Sequence, residues 1–187
     1  MIKIAKTNRG FTLLETLITI TIIGGVGVLI TQVFFTTTRV NTKSEIIKEV
    51  KQNGQFALDV MTRTIRNAEE VDSVCSPGGT SHESLQITNK NGDTTVYGCV
   101  YDASEGITRI ASTSGLSARS DFITSQNVTI GGTNSCDASV SLRFTCTENS
   151  GGFKIVRIDF TLAQKGTPPD QFEKASEAFA TSVTLRN

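Results

Sequence analysis

Four cysteines, Cys75, Cys99, Cys136 and Cys146, and one histidine, His82, are the residues of this chain best suited to covalent or metal chemistry. Thiols at these spacings can pair into two disulfides, hold zinc, or stay free and buried. Two bridges are expected over a zinc site, because no C-x-x-C pair occurs and only one imidazole is present. Four cysteines allow three connectivities. The favoured one joins Cys75 to Cys99 and Cys136 to Cys146, since each bond then ties a Gly/Ser-containing loop to a nearby strand. A single histidine cannot furnish a multi-histidine metal centre or a pair of histidine acid/base catalysts. Ser81, His82 and Glu83 supply the residue types of a hydrolytic triad, but adjacent residues point in different directions and a triad is assembled from separate elements. Acidic residues are scattered, with no calcium-loop spacing. The chain therefore reads as non-enzymatic, and no catalytic residue, metal ligand or cofactor is implied. Asn127-Val128-Thr129 fits a glycosylation sequon, though the match is short.

The elements that carry these residues are bounded by length and composition. A chain of 187 residues suits one domain with an appendage. Its 37% hydrophobic and 19% charged residues, with a formal net charge of zero, exclude a disordered acidic chain and a basic nucleic-acid binder. Lys3, Lys6 and Arg9 crowd positive charge into the first ten residues, so the remainder is mildly acidic and has no Lys/Arg cluster. No nucleic-acid partner is expected.

From Phe11 to Phe35 the chain is apolar apart from hydroxyls, glycines, Gln32 and Glu15. At about 1.5 Å per residue a 20-residue helix spans a bilayer core of about 30 Å, so this stretch predicts a transmembrane helix. The basic residues before it place residues 1 to 10 in the cytoplasm and the bulk of the chain outside, where oxidising conditions favour the two disulfides. After the apolar run the sequence reads Gln32-Val33-Phe34-Phe35-Thr36, with no small-residue cleavage site of the secretory kind. Glu15 breaks the pattern, because a carboxylate in a bilayer costs several kcal/mol unless it finds the interface or a cation. One reading leaves it near the headgroups, favoured by the positive end of the helix dipole.

The string Arg9-Gly10-Phe11-Thr12-Leu13-Leu14-Glu15 gives a second reading, since it resembles the prepilin processing motif of type IV pilins and type II secretion pseudopilins. A short basic leader, a glycine before the cut, an aromatic residue after it and a glutamate fifth in the mature chain are all present. The resemblance implies cleavage between Gly10 and Phe11 by a membrane prepilin peptidase, N-methylation of Phe11, and pairing of Glu15 with the new amine of a neighbouring subunit as a register lock. Lys3, Lys6 and Arg9 become the leader charges. Thr12, Thr16 and Thr19 on one helix face, with Gly24, Gly25 and Gly27, suit close helix packing. Many pilins have a helix-loosening proline where this chain has Gln32.

Beyond the apolar run, Ile46, Ile47, Val50, Ala57, Val60, Met61, Ile65 and Ala68 recur at helical spacing among charged residues, which predicts an amphipathic helix over 37–71. Gly54 interrupts it at about 1 kcal/mol. From residue 72 the pattern alternates. Strands are expected at 84–88 and 94–101 around the turn Lys90-Asn91-Gly92-Asp93, at 140–146, at 156–162 and at 179–185, with weaker ones near 106–111 and 121–130. A sheet with one apolar face needs a cover, and the helical stripe supplies it. The loop from Ala163 to Glu177, with Pro168-Pro169 and Phe172, reads as a solvated connection, with subunit contact as the alternative.

The expected class is α+β and pilin-like: a cytoplasmic leader (1–10), a transmembrane assembly helix (11–36), an amphipathic helix (37–71) and an extracytoplasmic β-rich head (72–187). Met61-x-Arg63-x-Ile65-Arg66-Asn67-Ala68, the hairpin before Tyr97 and Tyr101, and the closing Phe179-x-Thr181-x-Val183-x-Leu185-Arg186-Asn187 are similar to J-type minor pseudopilins and minor pilins. That resemblance implies a structural minor subunit of a type IV pilus or type II secretion pseudopilus, held in the inner membrane before assembly. Its partners would be other pilin subunits, the prepilin peptidase, the inner-membrane assembly platform and the lipid bilayer. The alternative is a pilus-borne adhesion or DNA-uptake module.

Overall fold

The computed structural model describes residues 10–115, 120–131, 135–136, 140–166 and 175–185. Lys3, Lys6, Arg9, Pro168, Pro169, Phe172, Arg186 and Asn187 lie outside the described residues. The chain divides into two compact units, Met1–Thr42 and Lys43–Asn187. One helix, α1, covers Leu13–Asn67 and belongs in part to each.

In the first unit α1 is helical without a break through Gly24, Gly25, Gly27 and Gln32, and every described residue is exposed. In the second unit the helix becomes one-sided. Val50, Gly54, Ala57, Met61 and Ile65 are its buried residues, and their spacing of three and four places them on a single face. The helix ends at Asn67, and Val71, the last residue of the apolar pattern, is buried in strand β1 (Glu70–Val71).

The expected antiparallel head is present, divided into two five-stranded sheets. Strands β3 (Leu85–Thr88), β4 (Thr94–Asp102), β5 (Ile107–Ser114) and β6 (Ser120–Phe122) follow β1 in the order β1-β3-β4-β5-β6. The other sheet is built from β2 (Thr80–His82), β8 (Arg143–Glu148), β9 (Lys154–Gln164) and β10 (Ser176–Thr184) in the order β10-β9-β8-β2, with β7 (Val128–Thr129) on β9. The two sheets meet where Ile130 N–H donates to Thr108 O at 3.2 Å, just after β7. Alternation along β9 buries Val156, Ile158, Phe160 and Leu162, and Phe144 and Cys146 of β8 join them. These side chains share one core with the helix stripe and with Leu85, Ile87, Tyr97 and Ile110 of the first sheet.

Two local details differ from the sequence reading. The β3–β4 connection is a loop over Asn89–Asp93, longer than a two-residue turn, with Gly92 at φ 82° donating its N–H to Asn89 O. Gly54, read as an interruption, is a packing requirement: a Cβ there would lie 2.1 Å from the Phe179 ring, which stacks on Phe160 with centroids 5.2 Å apart.

Candidate functional site

The helix does not begin at the aromatic residue of the motif. Gly10 and Phe11 precede it, and Thr12 caps it: Glu15 N–H donates to Thr12 Oγ1 at 3.3 Å and Thr16 N–H to Thr12 O at 3.2 Å. Thr12-x-x-Glu15 is the sequence signature of a capping box, and Glu15 sits in the first turn, where the helix dipole favours an anion. The Gly10–Phe11 peptide is thus outside the intrahelical hydrogen-bond ladder. Gly10, Phe11 and Thr12 carry no regular secondary structure. Phe11 is 79% exposed. Among the described residues, no ion pair involves Glu15.

The rest of the apolar stretch shows how a helix keeps hydroxyls in an apolar environment. Thr16 donates to Leu13 O, Thr19 to Thr16 O, Thr21 to Leu17 O, Thr31 to Gly27 O and Thr36 to Gln32 O, at 2.8 to 2.9 Å. Each hydroxyl is satisfied inside its own helix, so no water is needed. Gly24, Gly25 and Gly27 have open space where a Cβ would stand. The helix is long and apolar enough to cross a membrane, which fits a membrane anchor.

In the head both disulfides form, with a different connectivity from the one favoured on sequence. Cys75 bonds Cys146 and Cys99 bonds Cys136, so the Cys75–Cys99 and Cys136–Cys146 pairing is corrected. The cause is the division into two sheets. Cys99 lies in β4, opposite Ile110 of β5, whereas Cys75 precedes β2, which pairs with β8 in the other sheet. Thr80 stands opposite Cys146 and Ser76 bridges Thr147, which brings Cys75 to Cys146 with Cα atoms 4.8 Å apart.

The remaining sequence candidates are structural. His82 Nε2 lies 2.8 Å from Val74 O, and Ser81 and Glu83 do not converge on it: Ser81 is in β2 opposite Thr145, and Glu83 lies 3.8 Å from Arg143. In the sequon, Asn127 Nδ2 donates to Glu49 Oε1 of α1 at 2.6 Å and Thr129 Oγ1 donates to Thr108 O at 3.1 Å. The Ala163–Glu177 loop is shorter than read, because Ala163–Gln164 complete β9 and Ser176–Glu177 begin β10.

One charged cluster was missed. Arg109 Nη1 donates to Asp102 Oδ2 at 2.7 Å, its Nε donates to Thr124 O at 3.0 Å, and its guanidinium lies 4.0 Å from the centre of the Phe122 ring. Asp102 also accepts from the Ser104 hydroxyl at 2.6 Å, and this bond, followed by that from Arg109, holds its carboxyl below the usual carboxylate range. The available signal was an acid and a base on either side of the turn between β4 and β5. The cluster fastens β4, β5 and the segment after β6.

Residues 5–30 match the family described as the prokaryotic N-terminal methylation motif. No curated protein and no solved structure matches the chain. The match covers Gly10, Phe11 and Glu15 and supports the pilin and pseudopilin superfamily; it points to a structural subunit and to association with other subunits and a prepilin peptidase.

Proposed function

We propose that this chain is a minor, J-type-like subunit of a type IV pilus or type II secretion pseudopilus, processed at its N-terminus and retained by its apolar helix. The match over residues 5–30 carries the proposal. In it, residues 1–10 are a cytoplasmic leader whose charges, Lys3, Lys6 and Arg9, hold it on that side of the membrane. The peptidase cuts between Gly10 and Phe11. Gly10 has no side chain to obstruct a narrow cleft, and the non-helical start seen at Gly10–Thr12 presents the bond. Phe11 is then methylated. Residues 11–36 lie in the membrane and afterwards in the filament core, while residues 37–71 and 72–187 make an extracytoplasmic head that carries the disulfides.

Glu15 has a defined part in this scheme. In a bundle of apolar helices an unpaired carboxylate is strongly disfavoured, so pairing with the Phe11 amine of a neighbour both neutralises it and fixes the axial register.

Mass spectrometry of the N-terminal peptide tests the proposal: mature protein begins at Phe11 with a methylated amine, and Gly10→Leu accumulates uncleaved precursor in the membrane. An intact leader in assembled protein, or normal processing of the variant, overturns it.

A further inference from the structure

Protein sheets with open edges invite pairing by foreign strands, and edges are commonly blunted by short strands, lysines, prolines or bulges. Most edges in this head follow that rule. Strand β1 has 2 residues, β6 has 3, β2 has 3, and β7 has 2. Strand β10 does not, because it has 9 residues, ends its sheet, and contains neither Lys nor Pro. Its pairing with β9 runs one-to-one from Ser176 to Thr184 with no bulge.

The hydrogen-bond phase shows which groups are left over. Gln164 N–H donates to Ala175 O at 2.9 Å, and Leu185 N–H donates to Lys154 O at 3.2 Å. Both bonds use odd-numbered residues flanking β10, so in an unbroken antiparallel ladder the odd residues bond to β9. The N–H and C=O groups of Ser176, Ala178, Ala180, Ser182 and Thr184 therefore face the free edge. Among the described residues, nothing bonds to them. The side chains of these same five residues are exposed, small and uncharged.

We propose that the free edge of β10 is a docking site for an extended, uncharged segment of a different polypeptide, which adds to the second sheet as a sixth strand. The backbone ladder dictates an extended occupant. Charge dictates a neutral one: the exposed faces of β10 residues carry none, and on the adjacent β9 Arg157 and Asp159 neutralise each other at 2.8 Å. Glu177, on the opposite face of β10, is engaged by Lys51 at 2.8 Å. A second copy of this chain is a poorer occupant. Two β10 strands pairing antiparallel are related by a two-fold axis normal to the sheet, which reverses the direction of the α1 segment packed on it. On the proposed function, on which this step rests, subunits of one polar filament share a direction, which a two-fold contact between neighbours would reverse.

The test is amide hydrogen exchange on the full chain in detergent micelles, alone and with an acetylated, amidated peptide of nine alternating Thr and Val residues. Alone, the amides of Ala178, Ala180 and Ser182 exchange fast while those of Phe179, Thr181 and Val183 exchange slowly; with peptide, the even-numbered set slows by roughly tenfold or more. Ala180→Pro removes one edge N–H without touching the β9 ladder and abolishes that slowing, with both disulfides still formed. Ala180→Lys keeps the backbone, adds a charge to the neutral face, and weakens peptide binding. Even-numbered amides that are slow in the dilute chain alone, or that ignore the peptide, overturn the proposal, as does unchanged binding by both variants. Protection that grows with protein concentration without peptide assigns the edge to a second copy and overturns it as well.

Discussion

Within the single helix α1, the stretch from Leu13 to Thr42 leaves Leu17, Ile23 and Phe34 open, whereas the stretch from Lys43 to Asn67 buries Val50, Ala57, Met61 and Ile65. Both stretches are rich in apolar residues. In the first they surround the axis, and the hydroxyls of Thr16, Thr19, Thr21, Thr31, Thr36, Thr38 and Thr42 are bonded back to the preceding turn. In the second they form one stripe, with charges on the other side. A helix apolar all round requires an apolar environment, and a striped one requires a sheet. Secondary structure alone therefore says little about where the free energy of this molecule lies: the head holds it in a packed core, and the apolar stretch can realise it only against lipid or other helices.

Truncating the same side chain in both places separates the two stretches most strongly. Phe144 is 0% exposed and Phe34 is 67% exposed. Phe144→Ala lowers the unfolding free energy of the head by about 3–5 kcal/mol, and Phe34→Ala leaves it within about 0.5 kcal/mol, measured by denaturant titration of the full chain in detergent. Equal effects would show that the two stretches are not energetically distinct. The covalent contrast comes next, since the disulfides lie only in the head. Cys75→Ala with Cys146→Ala costs about 2–4 kcal/mol, and peptide mapping of the unmodified protein recovers Cys75 with Cys146 and Cys99 with Cys136.

Glycine gives a finer probe. Gly54→Ala forces a methyl into the Phe179 ring and destabilises the head by about 1–3 kcal/mol, although alanine is the better helix former. Gly25→Ala meets open space and leaves the head unfolding midpoint unchanged. The smallest effect is a slope. Because the Asp102 carboxyl is held below its ordinary range, its contribution is present above about pH 4 and is lost as pH falls through the lower folded value. Asp102→Asn has a shallower acid-side decline in stability; an unchanged slope would show that Asp102 is not the group responsible.

The core faces were legible in the sequence wherever burial is one-sided. The alternation at Val156, Ile158, Phe160 and Leu162, and the helical stripe from Val50 to Ile65, each mark a surface that must meet another. The N-terminal methylation motif was legible for a different reason, because it is one contiguous run of residues that needs no fold to be recognised. What escaped was long-range. Strand β2, Thr80-Ser81-His82, contains no apolar residue and is defined by its backbone pairing with β8, so neither it nor the split into two sheets had a periodic signature. The disulfide connectivity depended on that split and was lost with it. Arg109 and Asp102 are seven residues apart, and their pairing is set by the β4–β5 hairpin that brings them together.

The two disulfides are nested, Cys99–Cys136 lying within the loop closed by Cys75–Cys146. Synthesis delivers the thiols in chain order, so Cys75 and Cys99 are the first pair available to an oxidant, and their short separation makes closure entropically easy. That pair is the wrong one. Each partner must wait for a thiol not yet made, and a premature bond has to be undone by attack of a later thiolate on one of its sulfurs. The order of the cysteines along the chain thus sets a timing requirement on oxidation, delaying it until β8 exists or supplying an exchange catalyst to correct it.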